Sequence, residues 1–253
     1  MDARKASIRA HAELRCEFAR AVAALKVLPF ADALRDFTDL HRRTTGYRAG
    51  ESAAADRDWA GVIAAIGGLD RRDAALDCIV DFMAASNLHR YGRSNSPYWP
   101  FRYDFHGADR SVRLHFGSLQ FYREEGAPVP GLLARARLPE LRDSLRRMFA
   151  EIRSRHPDAS HVRGGSWLYN WESYRRLYPG AFTASAEVQR GTFAGGSRWG
   201  QFHTGQGEVN MQIAAEFRAR VARLDANDLE AAFPITTLSV RAPIEAFYRE
   251  YGL

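Results

Sequence analysis

The sequence predicts an α+β fold, a helical N-terminal third packed against a mixed, mostly antiparallel sheet with flanking helices. Three observations lead there. Apolar residues recur at helical spacing through the first third of the chain. Beyond a turn-rich run, GRSNSPYWP, the pattern changes to strict alternation. The 253 residues, 46% of them hydrophobic, can bury a large core without disulfides or metal. No repeat, low-complexity tract or interdomain linker stands out, so the chain reads as one domain over 1–253, with a helical subregion at 1–92 and an α/β subregion at 93–253.

Residues 3 to 26 place Ile8, Leu14, Phe18, Val22 and Leu25 on one helical stripe, and Pro29 ends it. A second helix is expected at 30 to 43, with Phe30, Leu34, Phe37 and Leu40 inward. Two more follow at 57 to 66 and 71 to 91, separated by Gly67 and Gly68. Then come two strands, Phe101, Tyr103, Phe105 and Val112, Leu114, Phe116 marking their apolar face, joined by the short loop Gly107 to Arg110. If His106 pairs with Ser111, those six apolar residues share a face, and Arg102, Asp104, His106, Arg113 and His115 share the other. Past Phe116 the alternation slips by one at Gly117-Ser118, the mark of a β-bulge.

The remainder reads as a helix at 139 to 155, a short strand near 160 to 163, a short helix at 171 to 177 and a strand at 182 to 189. A glycine-rich loop leads to a helix at about 208 to 224, a short helix near Asp228, a strand at ITTLSVR and a final helix, PIEAFYREYG.

The net charge of +6 would suit a nucleic-acid partner. Only Lys5 and Lys26 are lysines, however, and most arginines alternate with Asp and Glu, as in PELRDSLRRMFAEIRSR, which is helix-surface pairing. Arginine, alanine and glycine in such abundance fit a GC-rich bacterial source. No apolar run of eighteen residues and no signal-peptide pattern occurs, so a cytoplasmic protein without membrane attachment is expected. Cys16 and Cys78, each alone in a helical pattern, read as reduced buried thiols.

Three groups carry candidate chemistry. The first is the polar hairpin face, where His106 and His115 beside Asp104 suit proton transfer or metal binding, with Arg102 and Arg113 as substrate-binding residues; an ordinary solvent face, with Asp104 and Arg113 as a cross-strand pair, would carry the same residues. The second is Arg163, Gly164, Gly165, Ser166, Trp167, Tyr169 and Asn170, hydrogen-bonding groups among aromatics as in a ligand wall; a structural corner would carry the same residues. The third is the loop from Gly195 to Glu208, whose Arg198 and His203 would hold an anion while Trp199 stacks on a ring or chain. No zinc-binding spacing is present.

The segments HFGSLQFY (115–122) and GSWLYNWESYRRLYP (165–179), with a long amphipathic helix between them, resemble the corresponding strand and SWL segments of acyltransferases related to the GNAT superfamily. The resemblance implies a small-molecule enzyme taking an acyl thioester, acyl-CoA, as donor. Backbone N–H groups at the bulge near Gly117 would receive the thioester carbonyl, and the following helix would face the pyrophosphate. His115 or His203 would be the base, and Tyr169 or Tyr174 would protonate the leaving thiolate. Two alternatives stay open: a non-catalytic accessory protein recognising RNA or an acidic partner, and a metal-dependent hydrolase using His106 and His115.

Overall fold

The structure, a computed structural model, describes residues 3–45, 52–67, 72–85, 96–117, 131, 133–191, 193–204 and 208–253. It is α+β, with helices flanking one five-stranded mixed sheet. The chain forms two compact units, Met1–Tyr91 with Arg190–Pro234, and Gly92–Gln189 with Ile235–Leu253. The change of pattern at Gly92 coincides with the first boundary. Residues 190–234, which the sequence reading groups with the α/β part, fold with the helical unit.

In the helical unit, α1 (Ala3–Lys26) is buried along two faces. Leu14, Phe18 and Val22 join an aromatic cluster with Trp199, Phe202, Phe217 and Phe233, each such large side chain contributing about 1.5–3 kcal/mol by its burial. Ile8, Ala12, Cys16 and Ala19 line a second cluster with α2 (Phe30–Phe37), α4 (Ala53–Gly67) and α5 (Arg72–Ala85). Small side chains on that second stripe let neighbouring helices approach closely. Leu25, expected inward, is exposed. Cys16 and Cys78 are both free thiols; Cys16 is fully buried, and its burial pushes it up to about 12, whereas Cys78 is half-buried.

The helix expected at 30 to 43 is two: α2 stops at Thr38, whose extended backbone turns the chain, and α3 (Leu40–Thr45) restarts after Asp39. The hydroxyl of Thr38 accepts the Leu40 N–H, at 3.2 Å, at that break. The glycine-rich loop contains a short helix, α9 (Gly196–Trp199), ahead of α10 (Met211–Val221), which Asn210 caps through the Ile213 N–H. The end of the helix expected at 71 to 91, residues 86–91, and the loop centre 205–207 lie outside the described residues.

The α/β unit is built on β1 (Phe101–His106), β2 (Ser111–Phe116), β3 (His161–Ser166), β4 (Glu187–Val188) and β5 (Leu238–Pro243), in the order β1-β2-β3-β5-β4. All neighbours are antiparallel except β2 and β3. The hairpin register is the expected one, His106 opposite Ser111 and Phe101 opposite Phe116. On one face Phe101, Val112, Leu114, Val162, Val240 and Ala242 meet the buried side of α6 (Leu138–Arg155) and α11 (Ile244–Glu250), chiefly Leu145, Met148, Phe149 and Phe247. The segment expected as a strand at 182 to 189 is instead α8 (Gly180–Ala184), started by Pro179, followed by the two-residue β4. A one-turn helix, α7 (Glu172–Arg175), precedes it.

Candidate functional site: the polar face of the sheet

Side chains alternate across a sheet, so the registers that put Val112, Val162 and Ala242 in the core fix what lies on the opposite face. Asp104, Arg113, Arg163 and Arg241 are direct partners across β1, β2, β3 and β5, one straight row. Beside it, Arg102 is opposite His115, and His106 is opposite Ser111, which pairs onward with His161. Strands are about 4.8 Å apart, so three guanidinium-bearing Cα atoms fall within about 10 Å. The whole face carries Arg102, Arg113, Arg163 and Arg241 against Asp104, Glu187 and the hairpin-loop Asp109.

Within it, His115 Nε2 is 2.6 Å from Asp104 Oδ2. That hydrogen bond, with Arg102 and His106 nearby, holds Asp104 down at about 2. Burial pulls His115 below its ordinary value by more than Asp104 restores, so the neutral ring must place its proton on Nε2, which donates to the carboxylate. Nδ1 is then the ring's acceptor. His161 is also lowered, first by burial and then by Arg241. Arg163 Nη1 is 3.7 Å from Asp109 Oδ2, while Arg163 Nε and His106 Nε2 are buried with no hydrogen-bond partner among the described residues. Buried donors of this kind normally have one.

The other sequence-selected residues of this unit serve the core. Tyr169 and Tyr174 are buried on the opposite side of the sheet, and burial raises both hydroxyls, Tyr174 to about 12 and Tyr169 further. Neither is positioned with His115 as an acid to its base. Gly164 lies where a methyl would overlap the Tyr169 hydroxyl, which explains that glycine. Ser166 caps the 3-10 turn Trp167–Asn170 by accepting the Leu168 N–H, and Asn170 ties Trp167 O to Thr236 O, both at 2.7 Å. Trp167 packs against the core. Gly117 donates its N–H to Pro100 O at 2.8 Å, and a Cβ there would come within 2.8 Å of Trp99. Its amide is thus already used, and Ser118, the other half of the expected bulge, lies outside the described residues.

In the helical unit, Arg198 and Trp199 are core residues rather than loop contacts. Trp199 is fully buried and donates its indole N–H to Phe193 O, and Arg198 is buried over the rings of Phe193 and Phe233 at 4.9 and 5.2 Å. His203 is stacked on His11, ring centroids 3.8 Å apart, beside a network absent from the sequence reading: Arg15 and Arg43 both bind Asp39. Burial, then His11, Arg43 and Arg15, hold His203 far below its ordinary value. Its partners Arg43 and His11, 160 and 192 positions away in the chain, left no local signal.

The segment that would receive the pyrophosphate of an acyl-CoA, 118–130, lies outside the described residues, and α6, the helix after it, carries in its first turn Glu140, paired with Arg137 at 2.8 and 3.0 Å. His106 and His115 lie four register positions apart, about 13 Å along the hairpin, too far to share a metal. No group of three metal-binding side chains occurs among the described residues, and no described helix is long and apolar enough to cross a membrane. Comparison with protein-family models, curated proteins and solved structures yields no match to this chain.

Proposed function

We propose that the α/β unit belongs to a small-molecule enzyme that binds a phosphate-bearing substrate on the polar face of its sheet, with His115 as general base. The observation that carries this is the row Arg113, Arg163, Arg241 on three adjacent strands. Like charges directly opposite one another destabilise a sheet, and an ordinary solvent face alternates their sign. An anion spanning the row offsets that repulsion and can accept from the part-exposed end of the Arg163 guanidinium. His115 then stands beside the anchored substrate with Nδ1 able to take a proton from an attacking hydroxyl, amine or water, while Asp104 fixes the tautomer and steadies the charge that develops.

Arg102, Arg113, Arg163 and Arg241 are the anion-holding groups in this reading, His115 the base and Asp104 its positioning residue. Acyl transfer is one reaction such a base serves, with an acyl donor that need not be coenzyme A. Calorimetric titration of pyrophosphate into the full chain tests the binding half. The expected result is millimolar or tighter binding, weakened at least tenfold in Arg163→Ala, a loss of about 1.4 kcal/mol. Absence of binding, or an unaltered Arg163→Ala isotherm, refutes it. A steep loss of affinity with salt that grows with the length of an RNA oligomer, and no affinity for pyrophosphate, would favour a nucleic-acid partner instead. The catalytic half is tested by nitrogen NMR of His115 at neutral pH, where an Nδ1–H tautomer would remove the base.

A further inference from the structure

In the α/β unit β1 is an edge strand, paired with β2 alone among the described strands. Gly117 N–H donates to Pro100 O, which makes that pair a hydrogen-bonded rung of the ladder, so Arg102, Asp104 and His106 turn their peptide groups toward β2 and Phe101, Tyr103 and Phe105 turn theirs away from it. Phe101 uses both of its own, the N–H on Tyr98 O at 2.8 Å and the carbonyl as acceptor of the Ser96 hydroxyl. The N–H and C=O groups of Tyr103 and Phe105 have no hydrogen-bond partner among the described residues. Proteins commonly block such an edge with proline, lysine or a bulge. Between Phe101 and His106 there is neither proline nor lysine, and the register with β2 is unbroken. The strand is also braced from beneath: Tyr103 donates its hydroxyl to Glu151 at 2.9 Å, and Phe105 stacks on His156 with ring centroids 4.2 Å apart, so little freedom is left to lose on pairing.

A second observation, the charge pattern of the strand, selects the occupant. Any strand added here must form its hydrogen-bonded rungs through Tyr103 and Phe105. When two copies of β1 run antiparallel with Tyr103 opposite itself, Arg102 stands opposite Asp104 of the second copy, twice by symmetry, and Phe105 stands opposite Phe101. Moving one strand by two residues either way, the smallest shift that keeps this hydrogen bonding, sets Arg102 against Arg102 or Asp104 against Asp104, like charges at the closer cross-strand spacing. Arg102 is exposed. Asp104 can serve two neighbours, because His115 occupies only Oδ2 and the side chain is 56% exposed.

We infer that the chain associates with a second copy of itself by antiparallel pairing of β1 with β1, Tyr103 on the two-fold axis, joining the two five-stranded sheets into one. Two Tyr103 N–H to Tyr103 O bonds form the centre, and a Phe105 N–H to Phe101 O bond closes each end. Arg102 of the second copy comes to rest against the Asp104 that holds His115, so each polar face gains a cation from its neighbour. The association stands on the edge strand and does not require that face to be catalytic. A six-residue edge buries less than the roughly 1,600 Å² of a standard stable complex, so monomer and dimer should exchange at micromolar to millimolar chain.

Sedimentation equilibrium of the full chain from about 10 µM to about 1 mM tests the assignment. The expected result is a reversible monomer–dimer equilibrium, with the Tyr103 and Phe105 amides exchanging hydrogen more slowly as the concentration rises. Arg102→Asp and Asp104→Arg should each raise the dissociation constant at least about tenfold, since each substitution acts twice in a symmetric dimer and turns an attractive pair into a repulsive one. The double variant Arg102→Asp/Asp104→Arg restores the pairing with its signs exchanged and should return the constant to within about threefold of the parent, a recovery that neither a loosened fold nor the loss of the Asp104–His115 contact would give. A monomer throughout the range, a dimer that both single variants leave intact, or no recovery in the double variant overturns the proposal.

Discussion

Replacing Asp39 by asparagine is the most informative perturbation of the helical unit. Asp39 receives the Nε of Arg15 on one oxygen, and on the other Arg15 Nη2 at 3.3 Å and Arg43 Nε at 2.6 Å. Both members of the Arg15–Asp39 pair are buried, at 0% and 2% side-chain exposure. Arg15 also donates to His11 O at 2.8 Å and lies over Trp199 at 4.7 Å, so its position is set on three sides. The amide keeps the shape, removes the counter-charge and turns an NH₂ toward a guanidinium. Breaking a buried pair in this way costs about 3–5 kcal/mol, chiefly because the remaining charge is uncompensated. At roughly 2–4 °C per kcal/mol for a chain of this size, the melting transition should drop by about 6–20 °C. Calorimetry and urea titration measure it. The double variant Arg15→Met/Asp39→Asn removes the stranded charge and should recover at least half of the loss. A loss under about 1 kcal/mol in Asp39→Asn, or no recovery in the double variant, would refute the account of this network.

Three further outcomes follow from the same geometry. Gly164→Ala should destabilise the α/β unit by about 1–3 kcal/mol through overlap with the Tyr169 hydroxyl, and Tyr169→Phe in the same chain should relieve most of it, as urea unfolding will report. His203 is held neutral by burial, so the unfolded chain takes up a proton near pH ~6.5 that the folded one refuses; stability falls as pH drops below that value, and His203→Gln should remove about one proton, roughly 1.4 kcal/mol per pH unit, from the slope between pH ~6.5 and ~5. Tyr98 and Tyr103 both donate to Glu151 and are pushed up to about 12, first by burial and then by that carboxylate, so Glu151→Gln should move their ultraviolet titration part of the way back toward ~10.

What the sequence made legible followed the range of the forces involved. Four residues join β1 to β2, and unbroken alternation on both sides left one register, so Arg102, Asp104, His106, Arg113 and His115 were placed on a common face correctly. Arg163 was singled out for its glycine neighbours, not for its place beside Arg113 and Arg241; those pairings join strands far apart in the chain, and alternation carries no information about which strand comes next. Trp199 and Arg198 read as loop contacts because a four-residue helix shows no periodicity, although tertiary burial decided both. Ala12 and Ala19 fell among the alanines between larger side chains, and with Cys16, read as buried from the start, they form a second buried face. Of the strand expected over 182 to 189 only Glu187–Val188 forms, because Pro179 starts a helical turn that buries Phe182.

The two units place their charges by opposite means, and the contrast yields the sharpest test of the proposed function. In the helical unit two arginines converge on one buried carboxylate, so removing any charge should cost stability. On the sheet face Arg113, Arg163 and Arg241 are direct neighbours, with Asp104 at one end of the row and Asp109 3.7 Å from Arg163. Opposite-charge pairs contribute roughly 0.2–1 kcal/mol in a sheet, and like pairs subtract a similar amount, so Arg163 loses against two neighbours what the half-exposed Asp109 only partly returns. Arg163→Gln should therefore leave the ligand-free protein as stable or more stable, by up to about 1 kcal/mol, while weakening pyrophosphate binding. A surface arginine kept for stability would give the reverse: a lower melting temperature with the anion affinity intact.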